Sequence, residues 1–518
     1  MKLQLKYIVM TIILALIILP MAMVFGELFT PNSDYLVKLI ENKILFDYLF
    51  TTLELVFKVL FFSIAIGFSA AYIYTLYDFK LKNVLNVLLI LPLAVPVYVG
   101  AYTYELIYYE FEFLEVFLKN DFTLNGSVFI YTIFLYPYVY LAARSYLKRN
   151  LVDYLEASKL LGVSRVKTFF KVIFPLCWPA VLGSGLFVIF ETLSDFAVVD
   201  YYGVETVSKI IRDSWKIGQN ETAAKASIIL LFTLFIIVFL ERFFRRRKRY
   251  DGVSNKIIKP EQLTAKQSVI VYPYLFVIIG LGVMLPIREM VVNAVRKIEY
   301  FDLELVVVVF NTFLTTALTL GIILAIGMIY ASIINSLKKS KSFFSTFGVI
   351  GYSIPSLILA VGVYMAAISI DKFLIGLGLD FRLMTGTRIA LVMALSIKFL
   401  SISYSNYLST LGKTRYNVFE AAKVLGSGSV KRFFKINVPL MRGTTPFIII
   451  IVVIDLIKEL TLTYSLRPFN FKTLSTEVYR YAGNEMIEVA SVPSLLIVIC
   501  SVLLILYMEV GMKNAKNK

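Results

Sequence analysis

Glu156-Ala157-Ser158-Lys159-Leu160-Leu161-Gly162, followed by Pro175, occurs a second time as Glu420-Ala421-Ala422-Lys423-Val424-Leu425-Gly426, followed by Pro439. In both copies the Gly stands six positions after the Glu and the Pro nineteen, and the copies lie 264 positions apart, from 156 to 420. Both are basic and amphipathic, and both sit between strongly apolar segments. A polar loop repeated at this distance marks a duplicated membrane protein. It offers two matched docking surfaces on one side of the bilayer.

Composition places the rest of the chain in lipid. Of 518 residues, 59% are hydrophobic, and the mean hydropathy is +0.79, beyond what a soluble domain carries. Runs of about twenty apolar residues recur, each enough for a ~30 Å hydrocarbon core. Such spans are expected to be helical, because lipid cannot satisfy open backbone groups. The net charge of +17 raises nucleic acid as a partner. The Lys and Arg cluster in alternate loops, however, which is the positive-inside bias, so no nucleic-acid partner is expected. Cys177 and Cys500 fall in apolar stretches and read as packing residues. Histidine is absent, which removes the commonest metal ligand and catalytic base together.

Twelve spans are expected, near 7–26, 52–75, 84–108, 127–147, 176–196, 223–241, 268–287, 306–334, 344–368, 388–410, 440–462 and 486–510. The first follows Lys2 and Lys6 and reads as an uncleaved anchor rather than a signal peptide, its apolar run being long and without a clear small-x-small site. With the N-terminus cytoplasmic, about thirty Lys and Arg fall inside and about fourteen outside, which sets the topology. Both termini and both Glu-Ala loops are then cytoplasmic. The run Arg245-Arg246-Arg247-Lys248-Arg249 reads as a topology anchor at a seam, rather than a nucleic-acid or lipid patch. The acidic loop with Glu110, Glu112, Glu115 and Asp121 is expected outside.

The repeat extends beyond the loops. Thr51-Thr52 opens a helix reaching Ala65-Ile66-Gly67, and Asn311-Thr312 opens one reaching Ala325-Ile326-Gly327; Pro96 has a counterpart in Pro355. Two halves are expected, 1–250 and 251–518, each with six spans and a loop, at 151–175 and 415–439. Six spans per half give copies of the same orientation, related by an axis along the membrane normal. The expected fold class is an all-α membrane protein of about twelve transmembrane helices in two parallel-repeat six-helix halves.

The loop itself has legible local physics. Asp153 with Glu156, and Asn417 with Glu420, have capping-box spacing. Gly162 and Gly426 end that short helix, where positive φ is needed. A second basic segment follows, with Phe169-Phe170 and Phe433-Phe434 on its apolar side, and Pro175 and Pro439 stand where a membrane helix restarts. Each loop thus reads as two short helices at an angle, with an apolar knob and a basic rim. The plainer alternative is an interfacial helix on lipid headgroups; two equally spaced copies favour docking.

This pattern resembles the signature of permease subunits of binding-protein-dependent ABC importers: Glu-Ala-Ala, three residues, Gly, nine residues, then a close on Pro. Ser158 stands here for the second Ala of copy one, and Phe174 and Val438 stand for the Leu before Pro. The resemblance implies a type I importer permease. Its Glu156, Ala157, Ser158, Gly162, Pro175 and Glu420, Ala421, Ala422, Gly426, Pro439 would form coupling helices seated in an ABC ATPase subunit, in two copies. An extracytoplasmic substrate-binding protein and the lipid bilayer would be the other partners, the bacterial cytoplasmic membrane the location. No cofactor would be bound by this chain; ATP would be used by the partner. The fused layout is similar to ferric-iron permeases, with Leu135-Tyr136-Pro137-Tyr138-Val139-Tyr140-Leu141, Glu191-Thr192-Leu193-Ser194-Asp195-Phe196 and Leu466-Arg467-Pro468-Phe469. Thiamine, phosphonate or another small solute are alternative cargoes, since fold does not set substrate.

Two carboxylate pairs stand out. Glu191 and Asp195, and Asp455 and Glu459, are each four apart, and each pair begins sixteen residues after its Pro. Sixteen helical residues rise about 24 Å, so both pairs are expected at the outer ends of their helices. Ionisable groups at membrane depth usually face protein or a water-filled path. They read as a ring at an outer mouth that passes a hard, oxygen-seeking cation or holds a gate; the alternative is interfacial helix-end residues paired with neighbours such as Lys458. No metal-ligand set is assigned. Glu54 and Lys58 are expected to pair, and Lys398 is left without a partner.

No P-loop is present: Gly412-Lys413-Thr414 resembles its end, but the leading Gly position holds Tyr407. No catalytic triad, haem motif or zinc site appears, so an enzyme is not expected. An ion-coupled secondary transporter remains the alternative of another class, and a non-transporting scaffold a third; the twin loops speak against the former and the paired carboxylates against the latter.

Overall fold

The computed structural model describes residues 2–110, 124–246, 260–337, 344–345, 348, 351–379, 381–413, 422, 424 and 427–516. Of the loop residues named above, Asn417, Glu420, Ala421, Lys423, Leu425 and Gly426 lie outside these, as do Glu112, Glu115, Asp121 and most of the arginine run.

The expected all-α duplication is found. Among the described residues ten helices are long and apolar enough to cross a membrane, and two bent pairs bring the count to twelve. The main elements are α1 Lys2–Gly26, α2 Ile44–Leu76, α3 Lys82–Ile90, α4 Val97–Glu110, α5 Leu124–Asn150, α6 Val152–Leu160, α7 Phe174–Ser194, α8 Val207–Lys216 and α9 Asn220–Arg246. The second half has α10 Ala265–Ile279, α11 Leu285–Arg296, α12 Leu303–Ser336, α13 Ser356–Gly376, α14 Arg388–Lys413, α15 Thr445–Lys458, α16 Leu474–Gly483 and α17 Ile487–Lys516.

The most buried spans are α5 and α14, equivalent helices at the centre of each half. Each is crossed at a glycine by the long helix of its own half, α2 or α12. A Cβ on Gly67 of α2 would lie 2.6 Å from the Tyr136 carbonyl, and one on Gly327 of α12 would strike Ser403. Backbone-to-backbone contact of this kind drives helix association where no hydrophobic effect acts between helices. The buried hydroxyls of α5 and α14 are matched too: Tyr140 donates to Asn86 Oδ1 at 2.7 Å and Tyr404 donates to the Ser345 carbonyl. The outer faces are apolar. Phe46, Phe50, Phe57 and Phe61 of α2 are all exposed, as are Phe232, Phe235, Phe239 and Phe243 of α9, at helical spacing for a face on lipid.

The first span of each half also reaches into the other half. Helix α1 packs on α13 of the second half, and α11 packs on α4 of the first. Gly362 of α13 meets the carbonyl of Pro20, while a Cβ on Gly282 would lie 2.9 Å from Pro92. Arg288 of α11 forms an ion pair with Glu110, and this drives the Glu110 carboxyl down to about 2. The halves therefore hold one another.

Three local departures from expectation have one cause, proline. The third span is not a single helix: at Pro96 it breaks, and its two arms, Lys82–Ala94 and Val97–Tyr108, are bent by 101°. Pro175 and Pro439 do not restart a helix after a break. Each instead follows a π-turn, Phe169–Ile173 or Phe433–Asn437, and Pro286 follows another, Gly280–Met284. Proline lacks the N–H for an α bond and its ring crowds the carbonyl four residues back. A wide π-turn makes room for both, so the basic segment Val166 to Thr168 runs on into α7 without interruption.

Candidate functional site

Helix α7 runs from the first loop to Ser194, and α15 runs from Thr445, past a 73° bend that follows the second loop, to Lys458. Neither continues outward. Each gives way to short helices: Ala197–Tyr201 and α8 in the first half, Thr461–Leu466 and α16 in the second. The carboxylate pairs sit at these breaks, so they meet inside the protein and not at an open outer mouth. All four line one cavity of about 100 Å³ between the halves, with Pro96, Tyr138, Ser356, Lys398 and Lys458.

The four carboxylates divide into two kinds. Asp195 Oδ1 accepts the Ala197 N–H at 2.7 Å, capping the short helix there. Glu459 Oε2 accepts the N–H groups of Leu462 and Thr463 at 2.9 and 3.3 Å. These two therefore also act as helix caps, the commonplace role of such residues. Glu191 and Asp455 do not cap. Tyr352 donates to Glu191 Oε1 at 3.4 Å, and Asp455 lies 3.4 Å from Lys458 Nζ. No three Asp, Glu, Cys or His side chains among the described residues are grouped so as to hold one metal ion. A chamber lined by separated carboxylates suits passage, which requires weak sites, better than retention.

Both lysines come from the second half. Lys398 is bonded to Ser356 and lies 3.9 Å from Glu459 Oε1, which supplies the partner that sequence reading could not name. Lys458 also donates to the Leu93 carbonyl at 3.1 Å, reaching the broken third span of the other half. Four carboxylates against two ammonium groups leave the lining acidic. The Glu54–Lys58 pair also forms, at 2.7 Å, on the face of α2.

On the side of the chamber away from the loops the halves are joined by a polar clasp. Arg212 of α8 donates to Asp200 at 2.6 Å and to the Tyr479 hydroxyl of α16 at 2.7 Å. Tyr479 in turn donates to Asp200 Oδ2 at 2.9 Å. Phe196, Tyr464 and Tyr479 pack edge-to-face or tilted around it. Burial and the Asp200 carboxylate raise the Tyr479 phenol from its ordinary value, so it remains a donor. The sequence held no sign of this contact. Arg212 and Tyr479 occupy matching places in the repeat, 267 positions apart, yet share no chemistry. Hydrogen bonds to charged groups contribute about 1.5–3 kcal/mol each. Tyr479→Phe is therefore expected to raise labelling of a cysteine placed at Ser194 by an outside, water-soluble thiol reagent about tenfold. An unchanged rate would show that the clasp does not close the chamber.

At the other end, the loop surfaces are exposed. In the first copy α6 begins at Val152, so Asp153 lies in its first turn and not at the cap. Glu156 and Ala157 are exposed, while Ser158 is buried and donates to the Tyr154 carbonyl at 2.8 Å. Gly162 has φ +67°, and Val163 donates to the Ser158 carbonyl at 3.0 Å, which is a Schellman end. The equivalent bond, Ser427 to Ala422 at 3.0 Å, exists in the second copy. Leu160, Leu161, Val166 and Phe170 are exposed, as are Val424, Val430 and Phe434. Two apolar knobs thus project from one end of the molecule with nothing packed on them among the described residues.

The chain matches the family described as binding-protein-dependent transport system inner membrane component, over residues 63–250 and again over 317–515. It belongs to that family: it is a fused, two-half ABC importer permease and a multi-pass inner membrane protein, a transport component and not an enzyme. It is 24% identical over 506 residues to an Fe(3+)-transport system permease protein, FbpB 2, of Haemophilus influenzae, covering 95% of this chain and 96% of that one. A probable sulfate transport system permease protein, cysT, of Prototheca wickerhamii is 27% identical over 247 residues, 44% of this chain and 96% of its own length. A chain of a bacterial alginate ABC transporter, solved with an alginate pentasaccharide-bound periplasmic protein, is 16% identical, with a TM-score of 0.39 over 47% of this chain and 93% of that chain.

Proposed function

We propose that this chain carries ferric iron from a binding protein into the cytoplasm by alternating access, driven by ATP hydrolysis on two separate ATPase subunits. The observation that carries the cargo is the acidic chamber: Glu191, Asp195, Asp455 and Glu459 from both halves line one cavity. Carboxylate oxygen suits a hard cation. The likeness to a permease named for Fe(3+) over nearly the whole chain supports the same cargo. On this reading the loop residues Glu156, Ala157, Ser158, Gly162 and Pro175, with Glu420, Ala421, Ala422, Gly426 and Pro439, transmit ATPase closure, and both termini are cytoplasmic. The chain binds no cofactor of its own.

A second cargo has some support. Lys398 and Lys458 line the chamber, and relatives of half this chain's length are named for sulfate. Four carboxylates facing two ammonium groups disfavour a dianion there, because like charge at short range in a low dielectric is costly. An ion-coupled carrier would leave the two exposed knobs without a purpose.

The test is ATPase activity of the reconstituted complex with and without an iron-loaded binding protein, in wild type and in Glu156→Ala/Glu420→Ala. Stimulation of at least about fivefold, lost in the double variant, is the expected result. ATPase indifferent to iron would discard the cargo and keep the class. Failure of any ATPase to assemble with the chain would favour the ion-coupled carrier.

A further inference from the structure

The two coupling segments rest on different foundations. In the first half Phe169 packs against Phe68, Tyr72 and Phe174, with ring centroids 5.7, 5.0 and 6.4 Å away. The matching positions in the second half are Met328, Ser332 and Val438. Phe433, the counterpart of Phe169, therefore lacks all three rings. In their place is a cavity of about 370 Å³, lined by Ile329, Ile333, Phe433 and Phe434, with Lys6 and Arg432 also contributing. The Ser332 hydroxyl borders it, buried and without a hydrogen-bond partner.

This cavity is one end of a longer seam. A second cavity, of about 560 Å³, lies among α1, α12 and α14 and is lined by Ile13, Ile17, Ile322, Ile326, Val392 and Ile397. Ile326 and Ile329 are one turn apart, so the two cavities follow one face of α12. From Ser336 to Leu318 is eighteen residues, a rise of about 27 Å, against about 15 Å for one leaflet of the hydrocarbon core. The polar end of the seam carries two cations: Lys6, which donates to Ser336 at 2.9 Å, and Arg432, which reaches Ser429 at 3.4 Å.

We propose that this seam binds one anionic phospholipid, its phosphate between Lys6 and Arg432 and an acyl chain along α12 between α1 and Phe433. Four features select that occupant. The polar groups Ser332, Asn335, Ser336, Ser429 and Asn437 line the Lys6 cavity, whereas the walls of the second are almost wholly apolar, as a headgroup and an acyl chain require. An inserted peptide would bring backbone groups that these walls cannot satisfy. Lys6 and Arg432 stand at the end where the loops lie, while Arg388 at the second cavity is held by Asn311 and the Phe471 ring. Anionic headgroups are enriched in the cytoplasmic leaflet, where the basic loops are expected. The lipid then does for the second coupling segment what the Phe68–Tyr72–Phe174 cluster does for the first. The proposal does not depend on the cargo.

The test is native mass spectrometry of the detergent-purified chain titrated with phosphatidylglycerol or with phosphatidylcholine of the same acyl chains. Wild type is expected to retain one phosphatidylglycerol at least tenfold more tightly than phosphatidylcholine. Met328→Phe/Ser332→Tyr, which copies the first half's own residues, is expected to lose that site with an unchanged or higher melting temperature. Lys6→Gln/Arg432→Gln is expected to bring phosphatidylglycerol down to the phosphatidylcholine level. Equal binding of the two lipids by wild type, or tight binding that survives Lys6→Gln/Arg432→Gln, would overturn the proposal. So would release of the lipid when the ATPase subunit is added, which would give the seam to that protein.

Discussion

Neutralising Glu191 and Asp455 together, as Glu191→Gln/Asp455→Asn, is expected to lower iron uptake at least tenfold while assembly with the ATPase is unchanged. These two are the informative pair because neither caps a helix, whereas Asp195 and Glu459 do. Removing a cap costs about 1 kcal/mol of stability on its own, which would confuse a loss of transport with a loss of fold. The charge effect is larger. A unit charge about 4 Å from another in an effective dielectric of about 20 is worth about 4 kcal/mol, and about 1.4 kcal/mol is a factor of ten. A trivalent cargo feels each carboxylate three times over, so distance and water can remove most of that energy and still leave the expected loss. Asp455→Asn leaves Lys458 its bond to the Leu93 carbonyl, so the ammonium is not stranded. Uptake within twofold of wild type would remove these carboxylates from the path.

Gly162→Val is expected to reduce binding-protein-stimulated ATPase about tenfold, whereas Gly162→Asn should keep most of it. Gly162 lies at φ +67° with nothing within 4 Å of where a Cβ would stand. The effect is therefore one of backbone conformation and not of crowding. A β-branched residue in the left-handed region costs on the order of 1–3 kcal/mol, while Asn tolerates it. The Schellman end that Gly162 makes possible fixes the angle between α6 and the segment carrying Val166 and Phe170. If the angle relaxes, the exposed Leu160, Leu161 and Phe170 no longer form one knob. Equal activity of the Val and Asn variants would show that the angle does not matter for coupling. Co-purification of the ATPase separates failed docking from failed transmission.

Much of the architecture could be read from the chain because its determinants are local or repeated. Twelve apolar runs became ten spans and two bent pairs, near the expected positions except for the ninth, which begins at Ser356, after Pro355, rather than near 344. The duplication was visible in Gly67 and Gly327, which turned out to mark equivalent helix crossings. Positive φ at Gly162 followed from its place after a short amphipathic helix. What could not be read depends on where the chain turns back. The pairing of Lys398 with Glu459 joins positions 61 residues apart on different helices, and no local pattern encodes it. Sixteen helical residues after each Pro place the carboxylates at the outer ends of α7 and α15. Those helices stop at Ser194 and Lys458, however, and the short helices that follow enclose the cluster. The clasp of Asp200, Arg212 and Tyr479 escaped for a different reason: a search for repetition finds likeness, and this contact is made by unlike residues at matching positions. The prolines misled in a consistent way. A Pro after a basic segment suggested a helix start, whereas all three π-turns show the helix widening to accommodate it.

The most direct measurement is accumulation of radioactive iron in proteoliposomes containing this chain, its ATPase and an iron-loaded binding protein, with and without ATP, beside a parallel assay with radioactive sulfate. ATP-dependent uptake of iron and not sulfate, suppressed by Glu191→Gln/Asp455→Asn, is the predicted result. Sulfate uptake with iron excluded, or iron uptake that needs no ATP, would contradict it.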